Sequence, residues 1–249
     1  MSALGHYLEE EGIATVSISL IREHSAALEP PRALWVPFML GRPLGVPNDA
    51  AFQRKVLLAA LRLLESNEGP VLLEDFTEDA PYDDLGPEPE DLSCPISFPR
   101  RQTAGTPAER LAEEIAQLRA WHELASRHRA RSTLGLTGRS PAEIGTFLGS
   151  WLSGDSSATF REGVEPAVAL KLATDELKAF YYEAKSVQPG RHTPIDIQNW
   201  FWMETTAGEV FLQLRDLAAR SAEPAMKGLA TLSLVPRQVD MALKTGTRV

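Results

Sequence analysis

Three features are scarce in this 249-residue chain, and each absence excludes a class of protein. The single cysteine, Cys94, excludes an internal disulfide framework and a metal cage built from several cysteines of one chain. No apolar run approaches the roughly 18–20 residues of a membrane-spanning helix. The first residues also lack a basic region followed by an apolar one, so no secretory signal is expected. A cytoplasmic protein with no membrane partner is the expectation that remains.

A basic stripe is also missing, because the formal net charge is −9 and the acidity is local. Nine acidic residues and no lysine or arginine fall between Glu74 and Asp91, whereas the rest of the chain is balanced in charge. Nucleic acid is therefore not an expected partner, since phosphate recognition needs clustered basic residues. The acidic run is typical of a solvated connector, and a docking surface for a basic partner is the alternative.

The first 76 residues alternate between helical and strand patterns. The periodicity predicts helices over residues 3–11, 21–28 and 50–66, and strands over 13–20, 32–38 and 71–73, the last of them buried. Pro37 indicates that the second strand is short or lies at an edge of the sheet. This alternation favours a small, mainly parallel, three-layer α/β unit. Three strands are few for a doubly wound domain, so the sheet is either small or completed by another chain.

The acidic, proline-rich composition of residues 77–105 predicts a linker. After it, the sequence pattern becomes helical. Thr106, Ser140 and Thr193 each precede a proline and, three residues later, an acidic residue, which is the pattern of a helix N-terminus. These signals predict helices over about 107–131, 141–153 and 194–221. A helix without such a signal is expected over 165–186, and a short one before Pro236. The predicted organisation is α/β plus α, with an α/β unit over 1–76 and an α-helical bundle over 106–249.

The turn-rich loop over residues 41–49 is the best candidate for a ligand site in the α/β unit, because it leaves a strand and enters a helix. Arg42 is suited to holding a carboxylate through two parallel hydrogen bonds. We expect Asn48 to cap the helix and leave backbone amides free for an anion, with Gly45 and Asp49 completing the site. The loop carries neither phosphate-binding glycine motif. A rigid turn before a capped helix is the alternative.

The chain offers three weaker candidates for a catalytic residue. Cys94 is either a reactive thiol or a small buried residue. His122 falls on an apolar helical stripe, where a hydrogen-bonded core histidine is the default and a general base or ligand is the alternative. Glu204 is expected at the margin of the stripe that starts at Trp200, half-buried among aromatic residues and paired with a group on the preceding helix. No spacing in the sequence indicates a metal site.

Several blocks of the α/β half carry a resemblance to a known family. They are residues 8–16, 30–38 and 40–47, followed by Gln53 and the leucine-rich helix 57–64. In this order they resemble the C-terminal α/β portion of the glycine/sarcosine/betaine and D-proline reductase selenoprotein B family, over about residues 3–76. The resemblance implies an α/β fold and a small amino-acid-like ligand near the 41–49 loop. The family's catalytic selenocysteine or cysteine lies just upstream of the helix matching 3–11, and it corresponds to no residue here.

These observations lead to three hypotheses about function. In the first, the chain is a reductase-family subunit that binds a small carboxylate ligand, while a partner chain or another copy supplies the redox centre. The chain itself is expected to hold no cofactor and no metal. In the second, it is a non-catalytic protein that binds a small molecule or a partner, or acts as a scaffold. In the third and least favoured, Glu204 and His122 form an active site within the bundle.

Overall fold

The fold is given by a computed structural model of the chain, which describes residues 2–66, 69, 71–80, 105–155, 158–190 and 192–245. The chain is divided into two compact units, Met1–Gly86 and Pro87–Val249. The first is α/β and the second is helical, as the sequence predicts. Most of the predicted linker, residues 81–104, lies outside the described residues, and so does Cys94. Residues 77–80 belong to the smaller unit, where Ala80 is buried and Glu78 pairs with Lys55.

The smaller unit is built around a three-stranded parallel sheet in the order β1-β2-β3. Its elements along the chain are α1 (Ser2–Glu10), β1 (Ser17–Ser19), α2 (Arg22–Leu28), β2 (Arg32–Trp35), α3 (Ala50–Arg62), a 3-10 turn (Leu63–Glu65) and β3 (Leu72–Asp75). Ile18 is in register with Leu34, and Leu34 with Glu74. The carboxyl ends of all three strands therefore meet at one edge of the sheet.

All three strands are shorter than, or offset from, their predicted ranges, and β1 begins at Ser17 instead of residue 13. β2 is short, which is one of the two alternatives that Pro37 indicates, and it is the central strand of the three. Pro37 lies beyond the strand end at Trp35, so its missing amide removes no ladder hydrogen bond. β3 is half-buried to exposed rather than buried, because it forms the edge of the sheet. The core instead lies between β2 and α3, where Leu34, Val36 and Val56 are almost fully buried.

The larger unit contains seven helices within the described residues. They are α4 (Pro107–Arg129), α5 (Pro141–Leu152), α6 (Pro166–Lys185), α7 (Pro194–Glu204), α8 (Thr206–Arg220), α9 (Pro224–Leu232) and α10 (Arg237–Thr245). All three predicted N-terminal signals form complete capping boxes, in which Thr106, Ser140 and Thr193 accept from the third helical amide. The returning carboxylate in each box bonds the cap's own amide, so two helix-end donors are satisfied together.

One predicted helix is two helices, because the chain breaks at Thr205 instead of continuing to about Ser221. Thr205 has extended backbone angles, and its hydroxyl oxygen accepts the amide of Gly208 as the cap of α8. A Cβ on Gly208 would stand 2.4 Å from the carbonyl oxygen of Phe201, so only glycine permits this close approach of α7 and α8. α10, after Pro236, was not predicted.

A single apolar core fills the larger unit. Its largest fully buried side chains are Trp151, Tyr181, Phe180, Phe201 and Phe211. Phe201 stands edge-on to Phe211 with ring centroids 5.3 Å apart, the arrangement that aromatic quadrupoles favour. This continuous core holds α4, α6, α7 and α8 as one unit and fixes the side chains discussed below.

Candidate functional site

The loop over residues 41–49 leaves β2 at the carboxyl edge of the sheet and enters α3. Its turn is closed by backbone hydrogen bonds from Arg42 to Met39 and from Gly45 to Arg42, both 3.0 Å. Gly45 is buried with a φ of +83°, and a Cβ there would stand 2.6 Å from the Phe52 ring, so glycine is required. The Gln53 side chain then donates to the Val46 carbonyl at 2.9 Å. The loop is therefore held in one shape against α3.

Asp49 caps α3, and the expectation that Asn48 does so is wrong. The Asp49 carboxylate accepts the Phe52 amide at 2.9 Å, whereas Asn48 is exposed in the left-handed backbone region with a φ of +66°. Asparagine tolerates that conformation, so Asn48 serves the turn before the cap. Because a carboxylate already neutralises the positive end of α3, the expected anion site on free amides there is not supported.

Arg42 is the cation left for a ligand on this loop. Its side chain is half-buried, and among the residues that the structure describes its guanidinium has no hydrogen bond or ion pair. Asp49 lies on the same loop and contributes a negative charge. One oxygen of its carboxylate accepts the Phe52 amide. Arg42, Gly45, Asn48 and Asp49 thus lie on the same loop, but the structure shows no hydrogen bond or ion pair of Arg42 with Asn48 or Asp49. A cation and an anion on the same loop are suited to a ligand carrying both charges.

A second charged pair, not found from the sequence, lies at the same edge of the sheet. The Nε of Arg22, at the start of α2, donates to both Asp75 oxygens at 2.9 and 3.0 Å. Arg22 closely follows the end of β1, and Asp75 ends β3. Parallel strands bring such positions to one edge, which is the signal that would have predicted the pair. Both side chains are exposed, so the pair marks the edge without forming a closed pocket.

Glu204 is exposed, so the expectation of a half-buried carboxylate there is wrong. It lies at the last position of α7. The break at Thr205 places the following residues on a separate helix. Phe201 and Trp202 are buried instead, while Trp200 is only partly covered. Lys185 on α6 lies over the Trp200 ring at 5.1 Å. Burial lowers the pKa of Lys185, and the charge of Glu204 opposes that effect.

His122 contacts a carboxylate other than Glu204. Its Nε2 lies 3.0 Å from Glu183 on α6, and its ring packs on Phe180 with centroids 5.0 Å apart. Ser132 donates to the same Glu183 oxygen at 2.8 Å and lies 3.4 Å from the same His122 nitrogen. A serine–histidine–acid relay needs the histidine between the other two, each at its own ring nitrogen. Here Glu183 is the centre of the group, so the arrangement is not a nucleophile with its base.

Glu183 on α6 holds the connection between α4 and α5 through hydrogen bonds. Besides His122 and Ser132, it accepts the amide and the hydroxyl of Thr133, both at 2.7 Å. Burial alone would raise the pKa of Glu183, but the hydrogen bonds from Thr133 and Ser132 and the charge of His122 outweigh burial and hold that pKa below its ordinary value. All of these donors belong to the chain itself, so the carboxylate is already occupied.

A second buried glutamate, Glu176, and the partly buried Glu114 act in the same way, and the sequence reasoning above identified none of the three. Glu176, 1% exposed, accepts the amides of Gly135 and Thr137, both at 2.6 Å. Its seven-residue spacing from Glu183 places both on one face of α6, which was the available signal. Glu114 accepts the Tyr181 hydroxyl at 2.8 Å and two amides at the start of α8. Burial, with the Glu114 charge second, raises the pKa of Tyr181 well above its ordinary value.

A cavity of about 290 Å³ lies at the start of α5, lined by Arg139, Glu143, Phe147 and Phe160 among others. The Arg139 guanidinium donates to the Phe160 carbonyl at 2.9 Å, and Glu143 closes the capping box of Ser140. Its polar lining is thus engaged within the chain. No group of three or more candidate metal ligands occurs among the described residues. No helix in the described ranges is long and apolar enough to cross a membrane.

In comparisons with protein-family models, curated proteins and solved structures, nothing matches this chain. The resemblance to the selenoprotein B reductase family therefore stays a prediction. The geometry of the 41–49 loop is the basis for a functional argument.

Proposed function

We propose that the smaller unit binds a small amino-acid-like zwitterion at the 41–49 loop, and that the chain is a reductase-type subunit whose redox centre comes from a partner chain. The observation that carries the ligand proposal is the half-buried Arg42 guanidinium, which has no hydrogen bond or ion pair with the described residues. The sequence resemblance supports the reaction class. The proposal places the chain in the cytoplasm, in keeping with its single cysteine.

Arg42 would hold the ligand carboxylate, because a planar guanidinium forms two parallel hydrogen bonds to it. Asp49 would hold the ammonium group with the oxygen that the Phe52 amide does not use. The negative charge of Asp49 also disfavours a ligand that is only an anion. Such a ligand carries no ammonium group to offset its repulsion by the Asp49 carboxylate. The loop is expected to prefer zwitterions to ligands that carry either charge alone.

Calorimetric titration of the full chain tests this preference. The ligands are glycine, sarcosine, betaine and D-proline, with acetate and methylamine as single-charge controls. We expect saturable binding of at least one zwitterion. Acetate and methylamine should bind at least about tenfold more weakly, because each of them lacks one of the two charged contacts. Absence of saturable binding, or binding of acetate as strong as that of the zwitterions, would overturn the ligand proposal.

Two variants locate the site. Arg42→Gln should abolish the binding, and Asp49→Asn should weaken zwitterion binding while leaving α3 capped, because asparagine is an equally good cap. Arg161→Gln, at an exposed arginine of the larger unit, is the matched control and should bind as the wild type does. Mass spectrometry of the native protein tests the reaction class, for which we expect a co-purifying chain with a reactive cysteine or selenocysteine.

A non-catalytic role as a binding or scaffold protein is the second candidate. It is favoured by the buried carboxylates Glu176 and Glu183 and the partly buried Glu114, whose partners among the described residues are donors of the chain itself. Carboxylates engaged in this way hold segments together and are not available as acids or bases. Saturable zwitterion binding without any co-purifying redox chain would favour this role over the reductase subunit.

A further inference from the structure

α3 and the 3-10 turn that continues it carry a row of exposed leucines. Leu57, Leu58, Leu61 and Leu64 are each between 36% and 52% exposed, and we call them the leucine face. Their spacing of three and four residues places them on one side of the helix. The opposite side is also apolar, because Val56, Ala60 and Leu63 bury it in the core of the smaller unit. A surface helix normally turns polar residues to solvent, so the leucine face indicates a contact that is missing here.

Two opposite charges lie at the ends of the leucine face. Arg54 is one turn before it and Glu65 directly follows Leu64, and the 3.6-residue period puts both on the leucine side of the helix. Within the described ranges, neither side chain forms an ion pair or hydrogen bond. They are eleven residues apart, which is about 16 Å along a helix. A partner for this face must therefore offer an acidic group at one end, a basic group at the other, and apolar side chains between them.

A second copy of α3 meets this description when it runs antiparallel. A two-fold axis between residues 59 and 60 sets Leu58 opposite Leu61 of the second copy. Such an axis pairs residues that lie at equal distances on either side of it along the helix. The same axis sets each Arg54 opposite Glu65 of the other copy. A parallel pair would instead place Arg54 against Arg54 and Glu65 against Glu65, which is unfavourable. The charges at the two ends of the leucine face are thus complementary between two copies only in the antiparallel sense.

We propose that the leucine face is the interface of a homodimer, formed by antiparallel pairing of α3 across a two-fold axis. The area offered by one short helix per subunit is below that of a standard stable interface, so the dimer is reversible and depends on concentration. The proposal goes beyond the ligand function, since neither Arg42 nor Asp49 takes part in it.

Sedimentation equilibrium of the full chain, on the order of 10 to 500 µM, tests the dimer directly. The wild type should fit a reversible monomer–dimer equilibrium. Leu61→Glu should raise the dissociation constant by about tenfold or more, because it buries a charge at the centre of the interface. Leu232→Glu is the matched control, since Leu232 is 82% exposed in the larger unit, and it should leave the constant unchanged.

A charge exchange tests the antiparallel pairing itself. Arg54→Glu and Glu65→Arg should each weaken the dimer by about fivefold, because each change sets like charges at both ends of the interface. The double variant should return to within about twofold of the wild type. A chain that stays monomeric throughout, a dimer unaffected by Leu61→Glu, or a double variant no better than the singles would overturn the proposal. Ligand titration of the Leu61→Glu variant keeps this outcome separate from the function of the 41–49 loop.

Discussion

The buried carboxylates of the larger unit and the Arg42 side chain of the smaller unit differ in whether described residues of the chain complete their hydrogen bonds. The larger unit buries carboxylates and satisfies each with its own donors, as Glu176 does with two loop amides. Among the described residues of the smaller unit, none pairs with the Arg42 side chain, and α3 exposes a row of leucines. A group whose bonds are complete within the chain stabilises the fold, whereas an incomplete one is available for binding. Our proposal therefore places recognition in the smaller unit, whereas these carboxylates of the larger unit stabilise its fold.

The largest predicted effect is at a buried carboxylate of the larger unit. Glu176→Ala leaves the amides of Gly135 and Thr137 without acceptors and opens a cavity, so we expect a loss of about 3–5 kcal/mol in the free energy of unfolding. Glu204→Ala is the control, because Glu204 is exposed, and should change stability by less than about 0.5 kcal/mol. Urea denaturation measures both. Equal effects would contradict the structural role of Glu176.

A smaller effect is expected at the break between α7 and α8. Gly208→Ala forces a Cβ against the Phe201 carbonyl, and we expect a loss of about 2–3 kcal/mol in stability. Gly228→Ala in α9 is the matched control, since a Cβ there meets nothing within 4 Å. Alanine has the higher helix propensity, so this control should gain about 0.5–1 kcal/mol. Thermal unfolding should therefore shift in opposite directions, and a stable Gly208→Ala protein would mean that the helices do not approach this closely.

Stability should also fall with acid in a way that depends on Glu183. Its pKa is lowered in the folded state, so its contribution is fully present above the ordinary value of 4.5 and is lost as the pH falls through the lowered pKa. Urea unfolding at pH 6 and pH 4 should show a larger loss for the wild type than for Glu183→Gln, which has no proton to take up at that position. Equal losses in the two proteins would show that Glu183 is not the group concerned.

The smallest effect on stability is expected at Arg42. Arg42→Ala removes no hydrogen bond or ion pair found among the described residues, so the free energy of unfolding should change by less than about 0.5 kcal/mol. Differential scanning calorimetry without ligand provides the measurement. A loss above about 1 kcal/mol would mean that Arg42 supports the loop, and it would remove the contrast with Glu176.

Local signals in the sequence were enough for most of the fold. The capping boxes at Thr106, Ser140 and Thr193 locate helix starts to the residue, because the hydroxyl, the proline and the acid act within one turn. The break at Thr205 was missed because the apolar stripe continues across it. Its cause is the contact of Gly208 with Phe201, which depends on how two helices pack and leaves no periodic trace.

The candidate site was predicted in part. The 41–49 loop and Arg42 follow from the order of strand, turn and helix, but the cap was assigned to Asn48 when Asp49 holds it. Both residue types are good caps, and only the backbone angle of Asn48 decides between them. The buried glutamates were missed because charged residues are expected at the surface. Their partners are loop amides 39 to 50 residues away in the chain for Glu176 and Glu183, beyond the reach of spacing rules.

Hydrogen exchange of individual backbone amides tests the structural role of the buried carboxylates in the larger unit most directly. The amides of Thr133, Gly135 and Thr137 lie in the connection between α4 and α5, yet each donates to a carboxylate of α6. We predict that they exchange as slowly as the amides of α6 itself, and that Glu176→Gln speeds exchange at Gly135 and Thr137. Fast exchange of these amides in the wild type would contradict the account, because the buried carboxylates would then not be holding the chain.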